Sequence, residues 1–425
     1  MKLLRPRKEK LPRLVSLSLY LIAMWEQIRS NQTRSIILAA VLGMLLLLVG
    51  YFLGLYFFDS GTGGLIIALI VWTIMNLVAH FQGDNIFLAI SRAKKIERDD
   101  HPRLYNVVEE MKIASGLEKM PDIYIVDDPA PNAFATGRNS NKAAIAVTSG
   151  LLQQLNRDEL QGVVGHETAH IKNRDVLLMA MCGVLLGSIV ILSWYATRMM
   201  FFGGMAGGRR DSRSGGGQAQ LIIFIIGIIL MILAPIAAQL VYFAISRKRE
   251  YLSDASSALY TRYPEGLASA LEKIAASTNQ LKSANQAMAP MFIINPFRKM
   301  GRPANDLSST HPPISERIHI LRSMAGASLV DYDRAYRQGR RGTGIISASA
   351  LAGAGAIELR AAEPEMALKE KADKLERARE TSDLMWRLND YKTINCNCGT
   401  KLKVPANFNQ SNVTCPHCGT IHPVQ

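Results

Sequence analysis

The sequence predicts a mainly α-helical membrane protein with about four transmembrane helices, an α+β domain with a short sheet, and a small cysteine-rich module at the C-terminal end. Three observations carry this. Apolar residues make up 48% of the chain, yet the formal charge is +14, a pairing unusual for a purely soluble enzyme and typical of membrane proteins with basic loops. Uncharged apolar runs of membrane-crossing length recur along the chain. Four of the five cysteines crowd the last stretch as two close pairs, a spacing that suits a metal rather than a disulfide framework.

Residues 1–34 are basic, with Lys2, Arg5, Arg7, Lys8, Lys10 and Arg13 ahead of an apolar-periodic stretch from 14 to 28. This segment is either an amphipathic helix on the membrane surface or a basic tail. No short apolar core with a small-residue cleavage site follows it, so the first span is expected to stay in the mature chain. Residues 35–58 carry no charge and are long enough to cross ~30 Å of hydrocarbon as a helix. After Asp59 and the glycines at 61–64, a second and shorter span runs from 65 to 78, with Trp72 inside it, so helices 1 and 2 occupy 35–82.

From 92 to about 325 charged and apolar residues mix at helical and strand periods, as in a soluble domain. Residues 101–116 read as an amphipathic helix, 121–126 and 143–148 as strands, and a helix starts near 156 with Asn156 or Asp158 as its cap. Two apolar runs interrupt this domain, at 176–198 and at 220–245, and read as spans 3 and 4 around a Gly- and Arg-rich loop at 201–218. A buried soluble hairpin is the alternative for the third, because Ala180, Gly183 and Gly187 suit close packing in either solvent. Beyond 325, residues 342–390 comprise a small-residue linker and a charged helix from about 364 to 389, and 391–425 hold the cysteines, an appendage to the main body.

Basic residues orient the spans. The N-terminal cations, then Arg92, Lys94, Lys95 and Arg98, then Arg247, Lys248 and Arg249, all fall on one side, which the positive-inside rule assigns to the cytoplasm. Arg209, Arg210 and Arg213 count against it, offset by Asp211 and the glycines of a translocatable hairpin.

The stretch Gly165-His-Glu-Thr-Ala-His170 sets two histidines four residues apart, hence on one helix face and able to chelate one ion, with Glu167 in reach of water on that ion. Catalytic zinc commonly takes three protein ligands and keeps one position open. Glu250, in Ser246-Arg-Lys-Arg-Glu-Tyr-Leu-Ser-Asp254 just after the fourth span, is the candidate third ligand, since an even number of crossings returns it to the side of His166 and His170. Asp254, one turn further, is placed to accept the ring N–H of a ligand histidine. This chemistry belongs to a zincin-like metallopeptidase domain: zinc-activated water attacks a peptide bond while Glu167 moves the proton.

His166-Glu-Thr-Ala-His170, Arg249-Glu-Tyr-Leu-Ser-Asp254, Pro131-Asn-Ala-Phe-Ala-Thr-Gly137 and Thr310-His-Pro-Pro-Ile-Ser-Glu-Arg317, in this order and with these flanking spans, together resemble the HtpX family of membrane zinc metallopeptidases over residues 35–324. The resemblance implies that His166, His170 and Glu250 ligate a catalytic zinc, that Glu167 is the base, that Asp254 supports the site, and that the substrates are proteins or peptides, above all misfolded or membrane-associated ones. It also implies a multi-pass protein of the cell (inner) membrane acting in quality control. His311 or Arg317 are candidate donors to the developing oxyanion, with a Pro-rich turn that merely stops a helix as the plainer reading. Thr168 and Ser253 stand where the family often has Leu and Ala. Strand 143–148 either presents an edge to an extended substrate or is simple scaffold. A catalytically silent scaffold or chaperone using the same groove is the alternative function.

In the tail, Cys396-Asn-Cys398-Gly and Cys415-Pro-His-Cys418-Gly resemble the two knuckles of a zinc ribbon, whose four thiolates would hold one structural zinc ion. One residue instead of the commoner two separates Cys396 from Cys398, which leaves His417 as a possible ligand and a redox pair as the other reading. The ribbon's partner is not legible, and the lipid bilayer is the other expected partner of the chain.

Overall fold

The computed structural model describes residues 33, 36–37, 40–137, 139–206, 217–282, 291–294, 311–340, 342–352, 354–361 and 370–424. The basic segment before residue 33 and the centre of the Gly- and Arg-rich loop lie outside the described residues.

Helices α1 (Ala40–Phe58) and α2 (Gly61–Ile90) form a hairpin. Asp59, at φ 51°, makes the reversal, and the Ser60 hydroxyl accepts the Gly63 N–H to cap α2. The helices meet backbone to backbone: a Cβ at Gly64 would sit 2.1 Å from the Gly50 carbonyl oxygen, so the small residues here are what allow the approach. Ala40–Phe58 and Gly61–Val78 are long and apolar enough to cross a membrane. The second helix does not end near 82 as its sequence suggests but continues to Ile90, carrying the chain well clear of the apolar stretch.

The residues expected as spans 3 and 4 are helical, within α6 (Asp175–Ala206) and α7 (Gly217–Thr261). Among the described residues, however, their apolar stretches are Val184–Arg198 and Ile225–Leu240, shorter than a full crossing. Two candidate membrane helices are therefore present, and four are not established. All four elements pack together: Leu42, Leu46 and Val49 of α1 meet Leu185 and Ile189 of α6 and Met231, Ala234 and Ala238 of α7 in one buried cluster, with Trp72 of α2 against it. Ile66, Ile70, Ile229, Ile232 and Ile236 point outward and stay exposed, the pattern of a lipid-facing surface.

The remaining body is built on a four-stranded sheet of β1 (Lys94–Ile96), β2 (Asp122–Val126), β3 (Ala133–Gly137) and β4 (Ala143–Thr148) in the order β1-β2-β4-β3. Only the β2–β4 pair is parallel. Every residue of β4 is buried, and β4 lies between two partners, so it is not the edge that a substrate strand could join. The sequence misleads because Ala-Phe-Ala-Thr-Gly lacks a clear two-residue alternation, which hides β3. The edge on that side is β3, and the chain's own residues 291–294 already lie along it. Ile293 N–H donates to Ala133 O at 3.0 Å, and the rings of Phe134 and Phe292 meet edge to face at 5.3 Å.

Around the sheet pack α3 (Pro102–Ser115), the short α4 (Ser149–Gln154), α5 (Arg157–Lys172), the C-terminal part of α7, α8 (Pro264–Ala276) and α9 (Ile314–Arg322). Then follow α10 (Leu329–Arg340), α11 (Ala348–Ala352) and α12 (Glu370–Leu388). The small-residue linker packs against the main body. Ile345, Ile346 and Ala350, with Leu384 and Met385 of α12, join the same core as α5 and the sheet, and Asp333 accepts the N–H groups of Ile345 and Ile346. Lys94 of β1 donates to the Leu388 carbonyl and to Asn389 Oδ1, tying α12 to the sheet's other edge. Two hairpins close the chain, β5 (Lys392–Asn395) with β6 (Lys401–Val404) and β7 (Asn412–Thr414) with β8 (Ile421–Pro423), and the cysteines sit in their turns.

Candidate metal centre

Helix α5 starts with a reciprocal cap. Asn156 Oδ1 accepts Glu159 N–H at 2.9 Å, and Glu159 returns the bond to Asn156 N–H at 2.9 Å. The helix so fixed runs through the core and places His166 and His170 one turn apart, with ring centroids 4.8 Å apart. Glu250 arrives on α7, a single uninterrupted helix that carries both the predicted fourth span and the carboxylate. The same rod leaves the apolar bundle and crosses α5.

The three side chains converge. His166 and His170 bring their Nε2 atoms to 3.2 Å, and Glu250 sets one oxygen 3.5 Å from the first and the other 3.4 Å from the second. An ion held at about 2.0–2.1 Å from each donor in tetrahedral geometry needs donors roughly 3.3–3.4 Å apart. The residues present therefore fit a tetrahedral ion with three protein ligands.

The outer ring nitrogens are held as such an ion would require. His166 Nδ1 lies 2.9 Å from Asp254 Oδ1, so its N–H is donated there and Nε2 keeps its lone pair for the centre. His170 Nδ1 lies 3.0 Å from Ser253 Oγ and 3.4 Å from Asp175 Oδ2. Asp175 is in turn gripped by Arg249 at 3.0 Å. Arg249 is thus buried structure at the base of α6 and α7, and does not face the membrane as a topology marker.

Arg317 is fully buried. It forks onto Asp254 at 2.8 and 2.7 Å, donates to Ile293 O at 3.0 Å, and stands 3.3 Å from Glu250. His311 Nε2 bonds the Phe292 carbonyl oxygen and is 3.9 Å from Glu250. Both candidates for oxyanion stabilisation are thus brought to the site, and both are engaged by neighbours of the ligand set. Asp175, Arg249 and the carbonyls of residues 292 and 293 were not found from the sequence. Only the proximity of Asp175 to His170 along the chain hinted at the first.

Charge balance favours a cation at the centre. Burial alone would push His166 down, but Asp254 and Glu250 outweigh it and raise it above the ordinary histidine value. Burial opposes the same effect at His170, where Asp175 and Glu250 raise it to about 10. Glu250 resists the upward push of burial and is held well below the usual carboxylate range by His311 and the two ligand histidines. Glu167 behaves differently, since burial raises it despite the neighbouring histidines. It is 1% exposed, and neither of its oxygens has a hydrogen-bond partner among the described residues.

A profile of peptidase family M48 matches residues 98–325, which contain all of these groups. A Dictyoglomus turgidum protein named protease HtpX homolog is 44% identical over 300 residues, covering 71% of this chain and 94% of that protein. Its namesake from Streptococcus pneumoniae strain Hungary19A-6 is 44% identical over 301 residues, covering 71% of this chain and all of that protein. The chain belongs to the HtpX family of M48 peptidases. It is accordingly a membrane metallopeptidase, and the His166, His170 and Glu250 cluster is its candidate metal centre. The crystal structure of S. mikatae Ste24p aligns at a TM-score of 0.38 and 20% identity over 71% of this chain and 67% of that one, too loosely to bear on the site.

A second cluster fits a C-terminal ribbon. Cys396 Sγ is 3.4 Å from Cys418 Sγ, and Cys398 Sγ is 3.7 Å from Cys415 Sγ, near the ~3.8 Å expected between thiolates on one tetrahedral zinc with Zn–S of about 2.3 Å. Gly399 and Gly419, at φ 85° and 75°, permit the tight turns that fold each knuckle around its pair.

Proposed function

We propose that this chain is a zinc-dependent endopeptidase that hydrolyses peptide bonds in misfolded or membrane-associated proteins, with Glu167 as general base and the active site on the cytoplasmic face. The orphaned Glu167 carboxylate carries the proposal: a buried, unpartnered acid beside three ligand atoms is costly to keep unless water bound at the centre completes it. Zinc, when held by His166, His170 and Glu250, acidifies water and polarises the scissile carbonyl.

Glu167 takes the proton from the attacking water and passes it to the leaving amine. Asp254 keeps the Nδ1–H of His166 outward, and Arg317 keeps Asp254 ionised and aligned through its two-pronged contact. Arg317 also lies near enough to Glu250 to limit its basicity as a ligand. Four thiolates in the tail leave no open position, so we assign the second zinc to a structural role. Helices α6 and α7 complete a four-span bundle in this reading, and Arg92, Lys95, Arg98, Arg247 and Lys248 favour the cytoplasmic orientation.

Glu167→Gln tests the proposal. Cleavage of an unfolded membrane protein by the purified chain in detergent should fall by at least ~10²-fold, the lower range for losing a general base, with metal content unchanged. Activity equal to wild type in that variant would remove Glu167 from the chemistry, and a wild type that binds zinc but never cleaves would favour a scaffold.

A further inference from the structure

The region matched by the family profile ends at residue 325, yet α10, which begins at Leu329, reaches α7, which carries Glu250, and α9, which carries Arg317. On α7 it meets Tyr251, the neighbour of Glu250: the rings of Tyr251 and Tyr336 stack edge to face with centroids 5.0 Å apart. On α9 it meets Glu316, the neighbour of Arg317, through Arg340 Nε at 3.1 Å. Arg340 joins the two contacts, its guanidinium lying 5.8 Å from the Tyr251 ring centre and 5.9 Å from that of Tyr336. One turn earlier Tyr332 is fully buried, and its hydroxyl has no hydrogen-bond partner among the described residues. Gly339 faces His319 and Ile320 of α9, which a Cβ there would meet at 3.6 Å, an ordinary packing distance.

We infer that α10 is a positioning element for the metal centre: Tyr336 and Arg340 grip Tyr251 and Glu316, and so set the spacing across which Arg317 on α9 reaches Asp254 and Glu250 on α7. The reason lies in how narrow that spacing is. Arg317 bonds Asp254 at 2.7–2.8 Å and approaches Glu250 at 3.3 Å; α9 packs on α8 and α10, and joins α7 through few other contacts, so α10 is the element that grips α7 and α9 beside these two residues. A shift of α9 by half an ångström would lengthen the fork, loosen Asp254 and let the His166 ring turn. Tyr251 and Glu316 each flank a functional residue by one position, so holding them fixes the backbone from which Glu250 and Arg317 project. Neither Tyr336 nor Arg340 touches the ligand atoms, so they act through α7 and α9 only.

This inference rests on the metal-centre assignment, and the test separates the two. Full-length protein in detergent is titrated with zinc against a chromogenic chelator, for wild type, His166→Ala, Tyr336→Phe, Tyr336→Ala and Arg340→Ala. Wild type should bind one ion more than His166→Ala; equal stoichiometry would sink the metal centre itself. Tyr336→Phe keeps the ring and should match wild type. Tyr336→Ala and Arg340→Ala should weaken the ion lost in His166→Ala by about 10-fold, the lower range for outer-layer partners of metal ligands, while the ribbon's ion is unaffected. They should also lower kcat more than they raise KM. If Tyr336→Ala fails to fold, the half-exposed Arg340 supplies the decisive variant. Folded Arg340→Ala or Tyr336→Ala protein with wild-type affinity at that site, or Tyr336→Phe as impaired as Tyr336→Ala, would overturn the positioning role and leave α10 as packing alone.

Discussion

Ser253 and Asp175 share one task, to hold the Nδ1 of His170, and their distances of 3.0 and 3.4 Å rank the hydroxyl as the nearer partner. The carboxylate is the stronger one, because it accepts only, carries charge and is itself fixed by Arg249. Asp175→Asn should therefore weaken zinc at the centre by about 10–100-fold and Ser253→Ala by no more than a few-fold, read by chelator competition. The reverse order would mean that the hydroxyl sets the ring. His101 invites a different experiment. Its Nδ1 accepts Leu104 N–H at 3.1 Å and caps α3, a role open only to the neutral ring. Burial pulls its pKa below 6.5, with Glu380 opposing and Arg103 assisting. The unfolded chain thus takes up this proton more readily than the folded one, so the stability that His101 contributes is present above about pH 6.5 and is lost as pH falls below it. His101→Asn keeps a capping oxygen without titrating. Its melting temperature should match wild type at pH 7.5 and drop less than wild type between pH 6.5 and 5; parallel curves would refute the assignment.

At the scale of elements, α5 is held against α8 by two glycines facing opposite ways. A Cβ on Gly162 would lie 2.6 Å from Leu267 N, and one on Gly266 would lie 2.6 Å from Asp158 O, both backbone atoms with no room to yield. Gly162→Ala should cost about 1–3 kcal/mol by overpacking, despite alanine's better helix propensity, and chemical denaturation would detect it as a shifted midpoint. An unchanged or raised midpoint would show that the helices can part without loss. These same elements show what sequence can and cannot disclose. α3 was legible over its length from the amphipathic pattern of 101–116, and the start of α5 from Asn156, a cap signal that acts locally. Glu250 and Asp254 were legible because four residues on one helix share a face. β3, the packing of 345–350, and the grip of Arg249 on Asp175 were not, since each depends on partners far along the chain and leaves no periodic trace. The expected spans sit between these cases: apolar runs announce helices, and α1 and α2 are long and apolar enough to cross a membrane, but how much of α6 and α7 is embedded depends on neighbours and lipid.

Across the whole molecule, the segments that carry the two candidate metal clusters attach at opposite edges of the sheet. The peptidase cluster gathers where residues 291–294 flank β3, whereas α12 is anchored at β1, the opposite edge, by Lys94. The ribbon rides on α12. Lys401 and Lys403 pair with Asp383 at 3.3 and 2.9 Å, and Lys403 lies 5.1 Å from the centre of the Trp386 ring. These half-exposed ion pairs are individually weak, worth about 0–1 kcal/mol each, so on the proposed reading the ribbon's fold would depend mainly on an ion held by its four cysteines. The small cluster of Cys396, Leu402 and Cys415, with Ile394 and Val413 against it, is a slight core for two hairpins, which an ion on the four cysteines would supplement. α12 itself stands on firmer ground, because Leu384 and Met385 are buried in the main core. Loss of the ribbon's ion should therefore unfold the region beyond residue 391 and stop there. Cys415→Ser is expected to bind one zinc fewer, to become sensitive to limited proteolysis after α12, and to cleave a short peptide with kcat/KM within about twofold of wild type, as sites that share no partners act independently. A large fall in peptide cleavage with the remaining zinc in place would show that the ribbon reaches the catalytic centre through α12 and α4, and would make the tail part of the enzyme's working body.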